Sequence, residues 1–97
     1  MSPDLTDASE QRLVELDGKD YAITRYRGVG ATGPVKVFDA EADQEVDALP
    51  MLRLVNAQFA LGIDLYGSGG RPINTQQLGK YVLSELTKRG IGASGID

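Results

Sequence analysis

From Asn74 to Gly90 the sequence carries nearly every signal that starts, sustains and stops an α-helix, and this segment constrains the rest of the fold. Asn74 is a good N-cap, and Gln77 falls three positions later, the capping-box spacing with Asn in place of Ser or Thr. Ile73 and Leu78 occupy the two positions of a hydrophobic staple. Leu78, Val82 and Leu86 recur every four residues with Tyr81 beside them, so one face is apolar. Lys88 and Arg89 suit the negative end of the helix dipole, and Gly90 is the expected left-handed stop. Ile91 then folds back on Leu86, as a Schellman motif requires. The reading is a helix over residues 75–89.

Such a stripe needs an apolar surface to cover, and the first half of the chain supplies one. QRLVEL and DYAITRYR flank Asp17-Gly18, a pair that tolerates positive φ at a tight reversal, and together they read as a β-hairpin. A two-residue loop sets Glu15 opposite Asp20, two like charges. A four-residue loop pairs Leu16 with Tyr21 and Val14 with Ile23 instead. Both registers keep Val14, Leu16, Tyr21 and Ile23 on one face. The other face, with Glu15, Ala22 and Thr24, reads as wet.

A glycine-rich connection, RGVGATG, leads to a short strand, PVKVFD, with Val35 and Val37 on one face. Residues 49–61, LPMLRLVNAQFAL, place Leu52, Val55 and Phe59 on a helical stripe, with Pro50 in the first turn and Gly62 as a stop. A buried strand is the rival reading, because MLRLV also alternates; the helix is favoured. The expected architecture is therefore α+β: a small antiparallel sheet, made of the N-terminal hairpin plus a third strand, covered by two C-terminal helices. Residues 1–9 read as a flexible lead-in, 10–91 as a single domain and 92–97 as a flexible tail.

Two residue types are missing altogether, His and Cys. That removes thiol nucleophiles, disulfides, Ser-His and Cys-His relays, and zinc sites built from imidazole or thiolate. No cofactor is implied. The acidic start, MSPDLTDASE, has no basic patch before an apolar core, and no apolar run approaches the ~20 residues of a membrane span. A cytoplasmic protein with no membrane partner is expected, in keeping with the lack of Cys.

The net charge of -4 hides an asymmetry: residues 1–47 hold 11 acids and 5 bases, and residues 48–97 hold 3 acids and 5 bases. An acidic chain is a poor nonspecific binder of nucleic acid, so that partner is not expected. The helix at 75–89 is no recognition helix either. The intervening GIDLYGSGGRP is too long for a helix-turn-helix, and Gln76, Gln77 and Lys80 are a thin reading surface.

Several patterns invite a site. Gly28, Gly30 and Gly33 have dinucleotide-loop spacing, yet strand-like VKVFD follows where a helix is required, so they read as an interstrand loop. Asp39, Glu41 and Asp43 open an alternating acidic run that resembles the start of a calcium loop. Its sixth position is Gln44 and its twelfth Pro50, which excludes the ordinary hand and favours a turn near Ala40 to Gln44 with at most an improvised cation site. Gly67, Ser68, Gly69, Gly70 and Arg71 precede the capped helix beginning at Thr75, an arrangement suited to a small anionic ligand. It is no Walker loop, since Gly79-Lys80 lies within the helix. Arg25, Tyr26 and Arg27, at the rim of the second strand, are residue types typical of protein contacts. Asp64, between Ile63 and Leu65, is the one carboxylate set in an apolar run; an outward-facing position in an alternating strand is favoured for it over a general acid.

Three functional classes follow. The leading one is a non-enzymatic interaction or regulatory protein that binds a protein partner or itself, with a homodimer burying apolar area around Leu52 to Leu61. The second is a module for a small molecule or anion using the Gly67–Arg71 loop. The third is a hydrolase or isomerase that works through carboxylates.

Overall fold

The structure is a computed structural model and describes residues 8–27 and 33–95. Its elements are β1 (Ala8–Leu16), β2 (Lys19–Tyr26), β3 (Val35–Asp39), β4 (Gln44–Val46), α1 (Ala48–Gln58), α2 (Thr75–Arg89) and β5 (Ala93–Ser94). The five strands form one antiparallel sheet in the order β4-β3-β2-β1-β5, and both helices pack on one of its faces. This is the expected α+β architecture. Among the described residues, no helix is long and apolar enough to cross a membrane.

The hairpin adopts the two-residue register. Asp17 and Gly18 take φ of 52° and 79°, both left-handed, as a type I′ turn requires. Glu15 therefore faces Asp20, and the like charges are tolerated because both side chains are exposed. Val14, Leu16 and Ile23 are buried on the helix side, with Tyr21 packed beside them. The opposite face is drier than alternation suggests. Ala22 and Thr24 are buried there, and Gln11 Nε2 donates to Thr24 Oγ1 at 2.8 Å. Small side chains in a central strand are sheltered by their larger neighbours, and the hydrogen bond satisfies both polar groups.

The acidic stretch is a turn, as its self-repulsion demands, but the chain then returns as a strand. Asp39 Oδ1 accepts from the amides of Glu41 and Ala42 at 3.0 and 3.1 Å, reversing the chain so that β4 pairs with β3. Residues 93–94 also join the sheet, against Arg12 and Leu13, although they fall in the stretch read as a tail; Ala8 and Ser9, read as lead-in, belong to β1. Residues 1–7, 96–97 and the glycines Gly28 and Gly30 lie outside the described residues.

Helix α1 buries Leu52 and Val55 and leaves Phe59 half-buried against the core. Pro50 sits in its first turn, where no intrahelical N–H is needed. The stop lies two residues before Gly62. Ala60 is left-handed at φ 51°, with Ala60 N donating to Ala57 O and Leu61 N to Asn56 O. These two bonds are the Schellman pattern, with alanine where glycine is usual. A dimer built on Leu52 to Leu61 has little to bury: Leu52, Val55 and Leu61 are consumed by the chain's own core, and Leu54 alone is an exposed large apolar side chain there.

Helix α2 matches the sequence at both ends. Asn74 Oδ1 accepts from Gln77 N at 2.8 Å, Gly90 is left-handed, and Ile91 N donates to Leu86 O at 2.9 Å. Leu78, Val82, Leu83 and Leu86 are buried in the core. The close point of approach is Gly79. A Cβ there would lie 2.6 Å from Val35 Cβ and 2.7 Å from both its γ carbons, so glycine brings α2 onto β3 where any side chain would hold it off.

The strained C-terminus of α1 gives a direct test. Ala60→Gly removes the left-handed penalty without touching a core contact, and is expected to raise the urea-unfolding free energy by about 0.5–1 kcal/mol.

Candidate functional site

Between α1 and α2 the chain makes a loop that stands against the outer side of α2. Ile73 N donates to Leu65 O at 2.8 Å, Gly67 N to Arg71 O at 2.7 Å, and Tyr66 pairs with Pro72. The loop is thus a small closed structure, its tip a single tight turn at Ser68–Gly70. Asp64 Oδ1 accepts from Tyr66 N at 3.0 Å and sets the direction in which the loop leaves.

Two polar braces hold the loop's base. The Asn56 side-chain amide both donates to Ile63 O and accepts from Ile63 N, each at 3.0 Å. It therefore acts as a piece of β-ladder supplied by a helix. From α2, Arg89 donates to Ala60 O at 3.1 Å and Leu61 O at 3.0 Å, while its Nε bonds Glu85 at 3.1 Å. The guanidinium satisfies the carbonyls of two residues just past the end of α1 and ties that end to α2.

These braces leave a cleft of about 780 Å³ between the loop and α2, lined on the loop side by Asp64, Tyr66, Gly67 and Arg71 and on the helix side by Asn74, Gln77 and Tyr81. A shallower recess of about 350 Å³ continues along the helix past Ser84 and Glu85, sharing Asp64 and Tyr81 with the first. Gln77, Tyr81 and Ser84 follow at four- and three-residue steps, the spacing of one helix face. Tyr66 and Tyr81 are the two most exposed large hydrophobic side chains among the described residues, at 57% and 52%. Both line the cleft. Among the described residues no carboxylate pairs with Arg71, so the cleft offers two aromatic faces, an unpaired cation and side-chain amides.

Of the anion-site candidates, Gly67 and Arg71 line this cleft, whereas Gly69, Gly70 and Thr75 do not. Ser68 heads the turn at the loop tip. Asp64 lines it as an exposed carboxylate engaged in a backbone turn, without the burial that a general acid in an apolar pocket requires. Asp39, Glu41 and Asp43 stand at the β3–β4 turn, where the Asp39 carboxylate is spent on backbone amides; among the described residues no three acidic groups converge as metal ligands.

The candidate contact residues Arg25, Tyr26 and Arg27 lie apart from the cleft and from one another. Arg25 is half-buried at the helix-side rim opposite Val35, Tyr26 lies on the other face with Lys36 Nζ 5.9 Å from its ring centroid, and Arg27 is exposed. Sequence reasoning missed Tyr66 as a site residue, along with the braces Asn56 and Arg89. It placed Tyr81 beside the core stripe and Arg89 as a dipole partner, and only the fold of the 64–73 loop shows what they face.

Comparison with protein-family models, with curated proteins and with solved structures found no match, so function has to be argued from the cleft itself. The braces are the first thing to test. Asn56→Ala leaves both Ile63 backbone groups without their partner, and is expected to cost about 1–3 kcal/mol in urea unfolding. Hydrogen exchange at Ile63 N should accelerate more than at Leu78 N.

Proposed function

We propose that the protein is a non-enzymatic binding module that docks a segment of a partner protein in the cleft between the 64–73 loop and α2. The observation that carries this reading is the meeting of Tyr66, Tyr81 and Arg71 along one cleft. Tyr and Arg are enriched among residues that dominate binding energies, because each joins a large contact area to a directional polar group. A monomeric domain does not ordinarily leave its two most exposed aromatic side chains along one concave surface. The braces support the same reading, since a wall held before binding loses less entropy on complex formation.

The groups lining the cleft favour recognition over chemistry. The carboxylate in the cleft is exposed and occupied by a backbone amide, and Glu85 next to it is bonded to Arg89. A cytoplasmic setting fits the cysteine-free sequence and belongs to the same proposal. A second reading, a small anionic ligand, is favoured by Arg71 and Gly67 lining the cleft beside the first turn of α2.

Panning a random-peptide phage library on the immobilised domain separates the two. The docking reading predicts enriched peptides whose affinity falls tenfold or more, ~1.4 kcal/mol, on Tyr81→Ala or Tyr66→Ala. Peptides that bind equally to both variants, or no enrichment, would contradict it. The anion reading predicts instead that millimolar inorganic phosphate raises the melting temperature of the native chain but not of Arg71→Ala.

A further inference from the structure

We propose that the outer edge of β1 is a self-association surface for a second copy of this chain, closed in the structure by residues 92–95. On its inner side β1 pairs with β2 along its length. On its outer side, among the described residues, it pairs only with Ala93 and Ser94, through Leu13 and Arg12, and accepts from Gly95 N at Gln11 O, 3.1 Å. The closing strand brings nothing to the core, because Ala93 and Ser94 are both exposed. It holds on by close approach. A Cβ on Gly92, whose φ is 76°, would lie 2.3 Å from Leu13 O, and one on Gly95 would fall on the Gln11 side chain. A two-residue strand whose side chains are both exposed is the kind of element that opens at low cost.

The edge beneath it is complementary to itself. Gln11 O faces outward, so an antiparallel pairing of two β1 strands has Gln11 opposite Gln11 of the second copy as a hydrogen-bonded pair. In that register Glu10 of each copy faces Arg12 of the other. Opposite charges directly across a ladder stabilise it. Within the chain both side chains are only loosely held: an Arg12 terminal nitrogen donates to Leu86 O at 3.4 Å, and Glu10 Oε2 accepts from Thr87 Oγ1 at 3.5 Å, each near the outer limit of a hydrogen bond. The pairing joins two four-stranded sheets into one and leaves each cleft untouched, so it stands independently of the peptide-docking reading.

Sedimentation or light scattering of three chains decides the matter. The intact chain is expected to run as a monomer. Truncation after Ile91 and the full-length Gly92→Val variant, which cannot seat against Leu13 O, are both expected to double in mass. Adding Glu10→Arg to either sets Arg against Arg and should return a monomer. Opened chains that keep native far-UV circular dichroism and stay monomeric would overturn the proposal, as would a dimer indifferent to Glu10→Arg or an intact chain that dimerises equally well. Should both opened variants unfold, hydrogen exchange of the intact chain decides: the Leu13 amide, on the closed edge, should exchange at least about tenfold faster than that of Ile23. Equal protection of the two would refute a labile closure.

Discussion

Helix α2 lies where it does because residue 79 has no side chain. Val35 is buried on β3, and all three of its outer carbons lie under the position a Cβ on Gly79 would take. Glycine inside a helix costs about 1 kcal/mol relative to alanine, so a mid-helix glycine has to be compensated by what it permits. Here it permits the helix backbone to lie against the Val35 side chain at a distance no other residue allows. With α2 seated there, Leu78, Val82, Leu83 and Leu86 reach the core together, and the opposite side of the helix, with Gln77 and Tyr81, is left to face the 64–73 loop.

The loop is then placed by polar groups that the same helix position brings into range. Arg89, near the end of α2, reaches the carbonyls of Ala60 and Leu61, and Asn56 pairs with both backbone groups of Ile63. Apolar packing sets the helix, and directional hydrogen bonds set the loop against it. The division makes physical sense: a loop with exposed glycines has little surface to bury, so it is fixed by bonds whose loss would leave polar groups unsatisfied. The result is a cleft with Tyr66 and Tyr81 presented rather than packed.

How much of this was legible depended on how local the governing interaction is. The ends of α2 were readable because Asn74, Gln77, Gly90 and Ile91 act within a few residues of one another. The hairpin was readable for the same reason, and its register stayed open because turn geometry and cross-strand charge favour different answers. The type I′ turn prevailed, since Glu15 and Asp20 are solvated. The edge strands β4 and β5 were missed because strands of three and two residues have no period to detect. Ala93 and Ser94 look like a flexible end until β1 supplies the backbone they pair with. Of the site, Arg71 and Gly67 stood out as loop chemistry, but Tyr66 and Tyr81 are far apart in sequence and share a surface only after Asn56 and Arg89 fold the loop back.

The contact between Gly79 and Val35 seats α2 and thereby builds the cleft. A double-mutant cycle in urea unfolding addresses it most directly. Gly79→Ala in the native background should lose about 1–3 kcal/mol to overpacking. In a Val35→Gly background, which removes all three of the crowding side-chain carbons, the added methyl finds room, so the same change should cost almost nothing or return part of the ~1 kcal/mol of helix propensity. Equal losses in both backgrounds would show that the two residues do not meet as described, and would contradict the placement of α2 on which the cleft depends.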